Sequence, residues 1–449
     1  MRRLLFATTA LLMAAPALAQ NRFEASLAGH AILPAFTMAL PPADAPRDAL
    51  LAGKFAGSGN TRTDQPGSIP GTTGPASAGR PTGISLPFIG QPVQGFSGIK
   101  PVAGQPGSYW VLSDNGFGNK RNSPDAMLML HRIRPDWRSG QIALEETIFL
   151  SDPDRRVPFR IAYEGSERRY LTGGDFDIES IQPTGDGFWL GDEFGPFLIK
   201  VDMEGRVRQV VDTTIDGRPI RSPDNPALQV PATAFESQRS GGFEGMAQSP
   251  DGSRLYALLE KPLLANGQPE GRFLRIAEFD TARGAWTGRV LRYRPEEGTT
   301  AIGDFNMIDD RRALIIERDD GEGDPSLACA SGANPPGCFA NPARLKRIYI
   351  LDLGAVDEQG FVKKLGYIDL MAIRDPEGLA RTQGDRGQGE PRDRFTFPFF
   401  TIENVAVVDG EHIIVGNDNN LPFSAGRHLT RADDNEMILL RVPELLRAR

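Results

Sequence analysis

A β-propeller of five or six blades is the fold class predicted by this sequence, and three observations predict it. A short pattern recurs five times along the chain. Each recurrence is followed by an amphipathic strand. The composition, with 50 Gly and 36 Pro in 449 residues, favours many short strands joined by turns over long helices.

The recurring pattern is clearest in 178–195, IESIQPTGDGFWLGDEFG. Its relatives are 96–116, 243–262, 304–320 and 402–420. Each has a small or amide residue, an apolar residue, a turn, three or four apolar residues and then an acid. The closing acids are Asp114, Asp192, Glu260, Glu317 and Asp418. Three copies open on a glutamate, Glu179, Glu244 and Glu403, where the others have Ser97 and Phe305. The strands that follow are 127–136, 196–205, 272–280, 346–353 and 436–444, and several lead into a fourth at 207–213, 288–294 and 363–370. Three or four antiparallel strands recurring five times is a blade repeated around a ring. The strand-like segment 23–35 is expected to supply the outer strand of the last blade and close the ring.

Residues 1–19 read as a signal peptide, with Arg2 and Arg3 before an apolar run and Ala17–Leu18–Ala19 at the cleavage site. Residues 20–449 are expected to form a single propeller domain. The protein is expected in the periplasm or secreted, as a monomer, with no membrane span. The Gly/Pro/Ser/Thr-rich stretch 57–83 reads as a flexible insertion, and 222–242 and 371–400 as long loops. Cys329 and Cys338, the only cysteines of an exported chain, are expected to form a disulfide. The formal net charge of −8 and the lack of a basic stripe argue against nucleic acid as a partner. Serine-hydrolase, P-loop and zincin motifs are missing.

In an antiparallel hairpin the start of one strand lies beside the end of its partner. Glu179 should therefore neighbour Asp192, as Glu244 neighbours Glu260 and Glu403 neighbours Asp418. If these are the inner strands of the blades, the acids collect at one end of the central channel. Such a ring requires neutralisation, and its oxygen ligands suit Ca²⁺, ahead of Mg²⁺ or Mn²⁺. The expected metal ligands are Glu179, Asp192, Glu244, Glu260, Glu403 and Asp418, followed by Asp114 and Glu317. Glu244 or Glu193 is the candidate general base. Lys261, Arg318 and Asn419 are candidate contacts to a small anionic substrate or ester. The acidic loop Asp319, Asp320, Glu322 and Asp324 reads as solvated.

The motifs at 177–202, 241–260, 314–319 and 400–420 resemble the phytase-like family of exported proteins, described as having esterase-like activity of phytase. The resemblance implies a β-propeller and a calcium-assisted phosphoesterase or esterase. The cluster here is mostly acidic, whereas β-propeller phytases surround phytate with Lys and Arg. Two other functions stay open: a lactonase-type hydrolase, and a non-catalytic binding module with a structural metal.

Overall fold

The computed structural model describes residues 20–226, 228, 234–381 and 391–449. The expected signal peptide, part of the loop 222–242 and the centre of the loop 371–400 lie outside the described residues.

Five four-stranded antiparallel blades form the body. Blade one is Phe96–Pro101, Tyr109–Ser113, Met129–Asp136 and Gln141–Phe149. Blade two is Ile178–Thr184, Gly187–Asp192, Phe197–Asp202 and Val207–Asp212. Blade three is Phe243–Gln248, Arg254–Leu259, Leu274–Asp280 and Ala285–Tyr293. Blade four is Ala301–Met307, Arg312–Arg318, Lys346–Val356 and Val362–Asp369. Blade five takes Thr401–Val407, His412–Asp418 and Asn435–Arg441 from the end of the chain and Ser26–Leu33 from its start. That last pairing, with His30 opposite Ile438 and Leu33 opposite Asn435, closes the ring. The expected closure by 23–35 is what forms, and the described residues make five blades.

Burial follows from position in the blade. The second strands, such as RALIIER of blade four, are buried throughout because they have a neighbouring blade on each face. Outer strands such as QIALEETIF alternate toward solvent. The apolar core lies between blades. Trp110, Leu112 and Leu130 of blade one pack on Phe188, Leu190 and Ile199 of blade two. Leu314, Ile316 and Ile348 of blade four pack on Val405, Ile413 and Val415 of blade five.

A ring of only five blades brings the inner strands close together, which explains the small residue in the repeat. A Cβ at Gly245 would lie 2.6 Å from Phe305 Cβ, and one at Gly303 would lie 2.4 Å from the Ile402 carbonyl oxygen.

The stretch 57–83 departs from the expected flexible insertion. Ile69–Thr72 and Pro81–Leu86 pair as a hairpin. Arg80 is buried and forms an ion pair with Glu322, donating also to the Ala425 carbonyl at 2.8 Å. The Thr82 hydroxyl donates to the Pro422 carbonyl at 2.7 Å. Glu322 is therefore not part of a solvated loop; it is 2% exposed and also accepts from Ser424 Oγ at 3.1 Å. These anchors lie hundreds of residues away in sequence, so local composition could not reveal them. Cys329 and Cys338 are disulfide-bonded as expected. Among the described residues no helix is long and apolar enough to cross a membrane.

Replacing Gly245 by Val should force the inner strands of blades three and four apart and destabilise the fold by about 3 kcal/mol in a denaturant titration. Gly410→Ala, at a site with nothing within 4 Å of the added carbon, should change stability by less than about 0.5 kcal/mol.

Candidate metal centre

The opening glutamates owe their aim to β-bulges. The ladder register shifts between Ile178 and Ser180, between Phe243 and Gly245, and between Ile402 and Asn404. Glu179, Glu244 and Glu403 are the residues left out of the pairing. A bulge re-aims one side chain without ending the strand, so these three carboxylates leave the alternation of their strands. All three are buried.

Opposite them come the acids that close the second strands. The Glu193 amide donates to the Asp177 carbonyl, and the Glu260 amide to the Gly242 carbonyl, both at 2.8 Å. Asp418 pairs with Thr401. Glu193, Glu260 and Asp418 thus occupy one level of the ring. Asp192 sits one residue earlier, opposite Ile178. Asp192, expected among the metal ligands, lies outside the two groups of converging carboxylates. Its carboxylate accepts from the Asp177 amide at 2.8 Å and the Gly195 amide at 2.7 Å, so it holds the turn that carries Asp177 and Glu193. Burial pushes its pKa up to about 7.

Two groups of carboxylates converge. Ligand atoms of Asp177, Glu179 and Glu193 lie within 4.8 Å of one another, as do those of Glu193, Glu244 and Glu260. Glu193 is common to both. Asp177 was missed in the sequence because its counterparts in blades three and five, Gly242 and Thr401, are not acids. The visible signal was the second aspartate of GGDFD, just ahead of an apolar strand.

Asp114 and Asp418 form a flank of the same cluster. Asp418 accepts from Thr401 Oγ1 at 3.0 Å and the Asn420 amide at 2.6 Å. Asp114 accepts from the Gly116 amide at 2.8 Å and Gln94 Nε2 at 3.1 Å. Glu403 accepts from Ser97 Oγ at 2.8 Å and pairs with Arg318 at 3.2 Å. Arg318 is buried and stands opposite Ala301, as Asp418 stands opposite Thr401, so blade four places a cation where its neighbours place acids. Lys261 Nζ lies 3.2 Å from Glu260, near the rim.

Two further expected site residues are engaged elsewhere. Glu317 lies one level short of the ring, opposite Ile302, and its oxygens are taken by Lys364 Nζ at 2.6 Å, the Glu296 amide at 3.0 Å, Thr299 Oγ1 at 2.5 Å and the Tyr293 hydroxyl. It has no capacity left for a cation. Asn419 is fully buried and spans the ring closure, accepting from the Gly95 amide and donating to the Asp433 carbonyl, both at 3.1 Å. Its amide thus bridges the first and last blades at the ring closure. One cation escaped the sequence reading. Lys120 donates to the Asp224 carbonyl at 3.0 Å, with Asp192 and Asp175 acting on its charge.

The electrostatics are those of a site short of positive charge. Burial, followed by mutual repulsion, drives Asp114, Glu179, Glu193 and Glu244 well above the ordinary carboxylate range. Asp177 is raised as well, as is Glu403 despite the pull of Arg318 and Ser97. Glu179 Oε2 and Glu193 Oε1 are buried with no hydrogen-bond partner. The donor set is entirely carboxylate oxygen, without His or Cys, and fits a hard divalent cation.

Residues 91–421 match the phytase-like family, described as esterase-like activity of phytase, and the chain belongs to that family. It is 34% identical over 123 residues to an uncharacterized secreted protein of Arthroderma benhamiae, a match over 23% of this chain and 24% of the relative. The match thus spans about a quarter of that relative's length. Among solved structures, the periplasmic gluconolactonase of Pseudomonas aeruginosa is 14% identical, with 88% of this chain and 99% of that chain covered and a TM-score of 0.30. The glutaminyl cyclase of Myxococcus xanthus is 10% identical, with 78% and 91% covered and a TM-score of 0.34. Such scores are too low to superpose sites, and the fold rests on the strand pairing above.

Without a cation, the folded state holds protons on these carboxyls that the unfolded chain has already released. Stability in EDTA should therefore fall as pH rises, over a window that opens at the ordinary carboxylate pKa and extends through about 8, the raised pKa of Asp418. Added Ca²⁺ should raise the melting temperature most at the alkaline end of this window. Scanning calorimetry at several pH values, with and without Ca²⁺, checks both slopes.

Proposed function

We propose that the protein is an exported hydrolase of ester bonds, phosphoesters included, that works with a divalent cation held in the acidic centre, Ca²⁺ ahead of Mg²⁺ or Mn²⁺. The observation that supports this best is Glu193, which is shared by two carboxylate groups and has one buried oxygen without a partner. Asp177, Glu179 and Glu193 would hold one cation, and Glu193, Glu244 and Glu260 would hold a cation nearer the rim. A cation bound there would polarise the ester and acidify a water.

The chain's own groups supply the rest. Arg318 sits beside the buried Glu403 and Lys261 beside the half-buried Glu260, where an anionic oxygen of the substrate would meet them. Glu244 faces Glu403, Glu260, Glu193 and Arg318 in a buried setting that raises its pKa. A carboxylate poised in this way accepts a proton from water during attack on the ester. Export is supported by the signal-like N-terminus, the disulfide and the secreted relative.

The deep burial of Asp177 and Glu179 also favours a second function, a structural cation in a propeller that binds ligand without turning it over. Hydrolysis of phytate and of p-nitrophenyl acetate, in Ca²⁺ and in EDTA, separates the two. Turnover in Ca²⁺, lost at least about a hundredfold in Glu193→Gln, is the expected outcome. No turnover by the native protein, with a Ca²⁺-dependent gain in melting temperature that Glu193→Gln abolishes, would leave the structural role alone.

A further inference from the structure

Further along the inner strands from the acidic centre, one side-chain network ties all five blades together. Its hub is the buried Asn306 of blade four. Asn306 Nδ2 donates to Asp304 Oδ2 and to the Val405 carbonyl, both at 2.8 Å, and to the Ile99 carbonyl at 3.4 Å. Asn306 Oδ1 accepts from Lys100 Nζ at 2.9 Å and from Gln182 Nε2 at 3.0 Å. Gln182 Nε2 also donates to the Met246 carbonyl. Asp304 Oδ2 accepts in turn from the Val405 amide at 3.1 Å and the Ile99 amide at 3.2 Å. Blade four is thus bonded to blade one through Ile99 and Lys100, to blade two through Gln182 and to blade five through Val405. Gln182 carries the network on to blade three at Met246.

The tied residues follow the acids of the centre closely. Val405 stands two residues past Glu403, Met246 two past Glu244 and Gln182 three past Glu179. Ile99 stands two past Ser97, whose hydroxyl donates to Glu403 at 2.8 Å. Gly303, just ahead of Asp304, packs against the same acid: a Cβ there would lie 3.2 Å from Glu403 Cα. A bulged residue lies outside the ladder, so strand pairing alone does not fix how far its side chain reaches into the channel. Cation ligands need their oxygens held to within about 0.5 Å. A buried hub bonded on every side supplies that precision, because any shift leaves a polar group unpaired in a low dielectric. The orientation of Asn306 is itself fixed, since its oxygen faces two donors and its amide faces three acceptors.

We propose that Asn306 and Asp304 are positioning residues of the acidic centre: they set the five inner strands at one height and, through them, the mutual spacing of Glu179, Glu244 and Glu403. This rests on the cation function proposed above. Neither residue belongs to the two carboxylate groups, so each acts through the strands that carry those groups. The role is geometric. Asp304 Oδ2 alone takes the bonds from blades one and five and from Asn306, while Oδ1 accepts from the Phe305 amide at 2.8 Å. An asparagine oxygen in the place of Oδ2 would keep those three bonds, whereas alanine would lose them all.

Calorimetric titration with Ca²⁺, Mg²⁺ and Mn²⁺, well below every melting transition, tests the proposal. For the ion that binds the native protein most tightly, Asn306→Ala and Asp304→Ala should weaken binding at least about tenfold. Asp304→Asn should change it by less than about threefold. Ile148→Ala, in the outer strand of blade one, should lower the melting temperature and leave the affinity unchanged, which separates positioning from loss of stability. Gln182→Leu, which leaves Lys100 bonded to Asn306, decides the matter if the alanine variants do not fold, with a loss of at least about threefold expected. Unchanged affinity in the folded alanine variants, or in Gln182→Leu where they do not fold, would overturn the proposal. So would a loss of about tenfold in Asp304→Asn or in Ile148→Ala. No binding of any of the three ions by the native protein would overturn the cation function, and this proposal with it.

Discussion

The structure depends on a concentration of carboxylates that the fold itself creates and cannot neutralise. Five inner strands converge so tightly that glycine is required where neighbouring strands meet, as at Gly245 and Gly303. Bulges at the same strands turn Glu179, Glu244 and Glu403 out of their ladders toward acids from the second strands. Arg318 and Lys261 are the cations paired with this cluster. Burial of unbalanced charge is costly, so the arrangement calls for protons or a cation to complete it. The energetic strain and the chemical capacity are the same feature.

Ring closure and site assembly are coupled. Ser97 of blade one donates to Glu403 of blade five, and Asn419 of the last blade accepts from Gly95 ahead of the first. The strand Ser26–Leu33, from the far end of the chain, holds those two blades in register. Loosening that strand would separate Ser97 from Glu403 as well as open the apolar layer between the blades. A propeller closed in this way needs no disulfide across its ring, and the one it has, Cys329–Cys338, closes a local loop instead.

Blade four shows how a repeat diverges. Its register places Arg318 where other blades place Glu193, Glu260 or Asp418, while Glu317 turns to Lys364, Tyr293 and Thr299. One side of the centre thereby gains a cation. The polarity this gives, acids around most of the ring and guanidinium on one side, is suited to holding a cation and an anion side by side.

The five-fold recurrence, the strand order within each blade, the closing role of 23–35 and the disulfide were determined by the sequence alone, because period, alternation and cysteine count are local properties of the chain. The presence of an acidic centre was legible for the same reason: Glu179, Glu244, Glu403, Glu260, Asp418 and Asp114 recur at blade positions. What only the tertiary structure decided was which acid stands at which level. A bulge shifts a ladder by one residue without leaving a sequence signature, so Glu193 and not Asp192 stands level with Glu260 and Asp418, Glu317 stands one level short of them, and Asp177 converges with Glu179 and Glu193. Asn419 and the hairpin within 57–83 were settled by partners hundreds of residues away, across a ring closure that pattern along the chain does not encode.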